Sequence, residues 1–133
     1  LYTVPGQVHY DATRKLVLKG VDGVVFVGDS LKVQRKKNIE SLINLAKNLA
    51  EKGISIRTIP LVLQYNKRDL DGTDSEILPI EILEKDLNSM LKVPSFPASA
   101  LSGMGVFETL REISKLVVKD VSRKIMLLDK QMK

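Results

Sequence analysis

Short apolar runs alternate with longer amphipathic stretches along the chain, and that alternation predicts a succession of strands and helices. Leu1 to Val4 reads as the end of a strand turned by Pro5-Gly6. The stretch from about Tyr10 to Lys19 has helical character and stops at Gly20. Val21 to Gly28 is β-branched and almost continuously apolar, as in a strand buried on both faces of a parallel sheet. Asp29 and Ser30 are natural N-caps for a helix over about Leu31 to Lys52. Leu42, Leu45, Ala46, Leu49 and Ala50 give that helix one apolar stripe, Arg35, Lys36, Lys37 and Lys47 fall mostly outside it, and Gly53 ends it. Pro60 to Tyr65 predicts a further strand, and Pro79 suits the first turn of a shorter helix. Phe96 to Ser99 predicts the last short strand. From Ser102 onward, Val106, Leu110, Ile113, Val117 and Val121 mark a long amphipathic C-terminal helix.

Strands that alternate with helices pair in parallel through right-handed crossovers. The expected fold is therefore α/β and three-layered: a mostly parallel sheet with helices on both faces and ligands at the strands' carboxyl ends. The 133 residues, 44% hydrophobic and 28% charged, suit a single domain with a buried core, without repeats or low-complexity segments. No apolar stretch approaches the roughly eighteen residues of a membrane-crossing helix. No signal-peptide pattern is visible and there is no cysteine, so the cytoplasm is the expected location. The net charge of +5 is dispersed over helix faces without a basic run, and 5% aromatics with no Trp leave little to stack on single-stranded nucleic acid. No nucleic-acid partner is expected.

Candidate chemistry concentrates at two predicted strand ends. Asn66-Lys67-Arg68-Asp69 follows the apolar run Leu61-Val62-Leu63-Gln64-Tyr65, and Ser99-Ala100 follows the last short strand. Asp69 offers two acceptor oxygens to a planar edge with two adjacent donors, which guanine presents at its ring N–H and exocyclic amine and adenine does not. A site that buries a hydrogen-bonding group rejects analogues lacking the partner by roughly four to five orders of magnitude, so one carboxylate can carry nucleotide identity. His9 is the single histidine and reads as solvated; with no cysteine beside it, no metal site is expected among these residues.

The order of these motifs resembles the second half of a small Ras-like GTPase, a P-loop NTPase fold. Leu1-Tyr2-Thr3-Val4-Pro5-Gly6-Gln7 looks like the bacterial gliding-motility (MglA-type) branch. The resemblance covers essentially the whole chain and implies a single, N-terminally incomplete G domain over residues 1–133, running from the second switch to the C-terminal helix. It implies that Asn66 and Asp69 contact guanine, that the stem of Lys67 lies over the base or ribose, and that the Ser99-Ala100 backbone N–H groups donate to the guanine carbonyl. The family's second-switch pattern Asp-x-x-Gly-Gln maps onto Thr3 to Gln7. Gly6 would then approach the terminal phosphate and Gln7 would orient the attacking water. Thr3 departs from that pattern, since a neutral hydroxyl replaces a carboxylate that helps hold magnesium through water, a departure shared by the gliding branch. The implied cofactors are GTP or GDP with Mg2+, and the implied partners are a roadblock-type activating protein near Pro5 to Lys19 and downstream effectors.

The phosphate-binding pattern Gly-x-x-x-x-Gly-Lys-Ser/Thr does not occur in these residues. Gly23 to Ser30 imitates its glycine spacing, but Asp29 replaces the lysine and would repel phosphate, and the intervening residues are strand formers. In the family it resembles, the phosphate loop and first switch precede this segment, so the resemblance implies that they lie upstream of Leu1. Losing the family's first strand would open two strand edges, so these residues alone are expected to be unstable or to self-associate. Two alternatives stay open: a non-catalytic GTPase-like interaction module, favoured if no phosphate loop is encoded upstream, and a binder of nucleic acid or acidic surfaces drawn by the +5 charge, whose signature would be steep salt dependence.

Overall fold

The computed structural model describes residues 22–71, 73 and 76–132. Three parallel strands, β1 (Val24–Asp29), β2 (Leu61–Asn66) and β3 (Ser95–Pro97), form a sheet in the order β1-β2-β3. The register sets Val24 beside Leu61 and Asp29 beside Asn66, and then Leu63 beside Ser95 and Tyr65 beside Pro97. All three strands therefore end at one edge of the sheet. Helices α1 (Arg35–Glu51), α2 (Ile80–Leu87) and α3 (Val106–Met132) complete the α/β layout expected from the sequence.

Alternation along β2 separates the two faces. Leu63 and Tyr65 join Leu78, Leu83 and Leu87 in one buried cluster, against which Phe26, Ile39 and Leu42 pack; Leu45 and Leu49 form a second with Val24, Phe26 and Ile54. That face is covered by α1 and α2. Leu49 is 0% and Leu83 1% exposed, and each such leucine contributes about 1.5–3 kcal/mol relative to exposure. Gln64 points the other way, toward α3, where its Nε2 donates to Thr109 Oγ1 at 2.8 Å. Thr109 Oγ1 in turn donates to the Gly105 carbonyl at 2.6 Å.

Several boundaries differ from the sequence reading. The helix expected from Leu31 begins at Arg35, after a 3-10 turn over Lys32–Gln34, and its N-cap Gln34 makes no side-chain capping bond. The reason is tertiary. Leu31 bridges Ile77 and the Lys32 N–H donates to the Glu76 carbonyl at 3.0 Å, which holds this stretch extended against another part of the chain. Asp29 caps no helix; its Oδ1 accepts from the Leu31 N–H at 2.9 Å, while the Ser30 hydroxyl is fully buried and has no hydrogen-bond partner among the described residues. On α1, Leu45 and Leu49 are buried as expected, but Ala50 is exposed and the polar Asn38 and Asn48 are buried instead. On α3, Thr109 and Ile113 are buried, whereas Leu110 and Val121 are 40% and 37% exposed. The strand expected to reach Ser99 stops at Pro97, and Ser99 forms an isolated antiparallel bridge with Met104.

Candidate functional site

The Asn66 motif leaves β2 at its carboxyl end, and the turn after β3 meets it there. Asn66 Oδ1 accepts from the Ala100 N–H at 2.8 Å. The Arg68 N–H donates to the Ala98 carbonyl at 3.0 Å, and the Ala98 N–H donates to the Tyr65 carbonyl at 2.8 Å. Two motifs that the sequence placed at separate strand ends thus share one hydrogen-bonded corner, because parallel pairing of β2 with β3 puts their carboxyl ends side by side.

Lys67 turns the chain out of the strand with φ 68°, a left-handed conformation that costs a non-glycine residue about 1 kcal/mol or more. Its Nζ reaches across to Asp29 Oδ2 at 2.8 Å. Asp29 is itself fixed from α1: its N–H donates to Asn38 Oδ1 at 3.1 Å, and Asn38 Nδ2 donates to its carbonyl at 2.8 Å. Arg68 points back into the fold, where Nη1 donates to the Leu78 carbonyl at 2.6 Å. Asp69 lies in the 3-10 turn Arg68–Leu70, exposed, and makes no hydrogen bond or ion pair with another described residue.

Ser99 is buried and serves its own turn. Its N–H donates to the Met104 carbonyl at 2.8 Å, its carbonyl accepts from the Gly103 N–H at 2.8 Å, and its Oγ accepts from the Ser102 N–H at 3.2 Å. Of the two backbone donors anticipated for a guanine carbonyl, the Ser99 N–H is committed to Met104. The exposed Ala100 N–H is held by Asn66, an accessible side chain that can share it with an incoming acceptor.

Beneath this corner lies a polar network that the sequence did not reveal. Tyr65 Oη donates to Glu84 Oε1 at 3.1 Å, Ser95 Oγ donates to the same oxygen, and Asn88 Nδ2 donates to Glu84 Oε2 at 2.8 Å. Burial first, and then the charge of Glu84, push the Tyr65 phenol well above its ordinary value. The network ties β2 and β3 to α2 and so fixes the strands that carry the two motifs. Among the described residues no group of three His, Cys, Asp or Glu side chains is placed to hold a metal ion.

The sequence is 51% identical over 123 residues to the mutual gliding-motility protein MglA of Myxococcus xanthus (strain DK1622), an alignment that takes in 92% of this chain and 60% of that protein. Over nearly all of its length the chain is therefore similar to MglA. The three parallel strands and their flanking helices agree with the Ras-like P-loop GTPase fold expected of an MglA relative. No family model matches the chain. Of the residues that the MglA-type resemblance singled out, Asn66, Lys67, Asp69, Ser99 and Ala100 gather at one edge of the sheet, while Gly6 and Gln7 lie outside the described residues. Asp29 and Asn38 join the corner without having been anticipated there. The sequence did place Asp29 at a strand end, but its distance from Lys67 along the chain hid the pairing.

Proposed function

We propose that the intact protein is a guanine-nucleotide-binding switch that hydrolyses GTP to GDP and acts in bacterial cell polarity or gliding motility. The observation that carries this reading is the corner where Asn66 Oδ1 meets the Ala100 N–H at 2.8 Å, with the exposed Asp69 one 3-10 turn further on. Asp69 accepts from the guanine ring N–H and exocyclic amine, the Lys67 stem lies against the base, and the Ala100 N–H donates to the guanine carbonyl. An adenine amine at that carbonyl's place would set donor against donor. The similarity to MglA supports the gliding-motility assignment, since that protein is itself named for the process.

Hydrolysis in such a switch is in-line attack of water on the γ-phosphate, promoted mainly by positioning and charge stabilisation. In this reading Gly6 allows close backbone approach to that phosphate and Gln7 orients the water. Mg2+ supplies charge neutralisation when bound. Among the described residues no group of three His, Cys, Asp or Glu side chains is placed to hold it. A roadblock-type activating protein engages the segment from Pro5 to Lys19, and effectors read the γ-phosphate-dependent order of the switch loops.

The decisive experiment is Asp69→Asn in the intact protein. The amide can donate to a carbonyl at the base's 2-position, so GDP binding weakens by about a hundredfold or more and xanthosine diphosphate binding improves. Unchanged affinity for GDP, by competition titration, would remove Asp69 from the pocket and the switch reading with it.

A further inference from the structure

We propose that Asp29, locked in place by Asn38, is a positioning residue for the nucleotide base, acting through Lys67; this rests on the guanine-pocket reading above. The two ends of the lysine are fixed independently. Its backbone is set by φ 68° at the end of β2, and its ammonium is held by Asp29 Oδ2 at 2.8 Å. Between those points the aliphatic stem runs from the end of β2 to the end of β1, where Asp29 is paired in register with Asn66. A stem free at its far end would lose several rotors on stacking against a base, whereas a stem already tied down loses few.

Asp29 is itself unusually well constrained. Its second carboxylate oxygen accepts from the Leu31 N–H at 2.9 Å, and Asn38 engages both its backbone N–H and its carbonyl. Asn38 is 7% exposed, so this clamp lies in the body of the molecule, on the first turn of α1. Lysine retains 44% and aspartate 25% of their side-chain exposure. The pair is therefore open enough to border a ligand, and its energetic weight is that of a partly screened ion pair. A carboxylate at this point also explains why the strand that imitates a phosphate loop ends in an acid: the position serves the base side of the site, where a cation must be held.

Dissociation of fluorescent GDP from the intact protein tests the assignment, with Asp29→Asn, Lys67→Met and the double substitution. Asp29→Asn keeps the shape and an oxygen for the Leu31 N–H but removes the charge. It should speed dissociation about threefold to fivefold, as should Lys67→Met, which keeps the stem and loses the ammonium. The double variant should be no faster than the faster single one, because each removes the same tie. Asn38→Ala should shift the rate in the same direction without affecting Lys67→Met further. Multiplied effects in the double variant, or an unchanged rate in Asp29→Asn, would overturn the proposal. The Asp69→Asn response to xanthosine diphosphate distinguishes the two levels: if it appears while Asp29→Asn is silent, only the positioning role fails, and if it is missing, the pocket reading itself fails.

Discussion

Tyr65 is 1% exposed and still carries a hydroxyl, which it donates to Glu84 in the network under the two motif loops. Its phenol ionises near 10.0 when solvated, and burial together with the Glu84 charge moves that value upward in the folded protein. A raised folded value means that the native state holds the proton more tightly than the unfolded chain. The resulting stability is full below the unfolded value and is lost as pH rises beyond it. Tyr65→Phe should therefore cost about 1 kcal/mol near neutral pH yet flatten the decline in stability above about pH 9. Urea denaturation of wild type and variant from about pH 7 to about pH 11 measures both, and parallel declines would exclude Tyr65 as a contributor. At this scale the sequence was informative where chemistry is local. Asn66, Lys67 and Asp69 share one short loop, so their grouping was readable, whereas Glu84 and Asp29 reach their partners only through folding.

From residue 22 onward elements were legible in kind and order and less so at their ends, while the strand expected over Leu1 to Val4 and the helix expected over Tyr10 to Lys19 lie outside the described residues. Period and composition identify β1, β2 and α3, but the start of α1 was displaced by pairing of Leu31 and Lys32 with Ile77 and Glu76, which no local cap signal encodes. The turn from β3 into α3 makes a sharper case. Gly105 has φ +76°, and a Cβ built there would lie 2.1 Å from the Pro97 carbonyl oxygen; one built on Gly53, also at φ +76°, would meet none of the other described residues within 4 Å. Gly53→Ala should cost about 1 kcal/mol for conformation alone. Gly105→Ala should cost about 2 kcal/mol or more beyond that, because backbone must move, and should disturb the neighbouring Ser99–Met104 bridge. Denaturation midpoints of the two variants side by side separate strain from collision, and equal midpoints would contradict the contact with Pro97.

On the scale of the molecule, among the described residues β1 pairs with β2 on one side only, and Val27 on that strand is 52% exposed. On α3, Val118, Ile125 and Leu128 are 65%, 60% and 57% exposed. A strand edge open in this way and uncovered apolar side chains each favour association. The 133 residues expressed alone should accordingly sediment with a mass that rises with concentration, and a monomer with a cooperative thermal transition would refute this.

Over the described residues the amino-acid pattern by itself determined the strand and helix succession, the parallel sense of the sheet and the loop carrying Asn66 to Asp69, because each depends on residues close together in the chain. Only the tertiary structure decided that Ala100 would meet Asn66, that Asp29 would hold Lys67 and that Glu84 would gather Tyr65, Ser95 and Asn88. Those contacts join distant segments through strand register and helix packing. Hydrophobic spacing specifies which face of an element is buried, but it does not name the polar group that will be found opposite once the faces close.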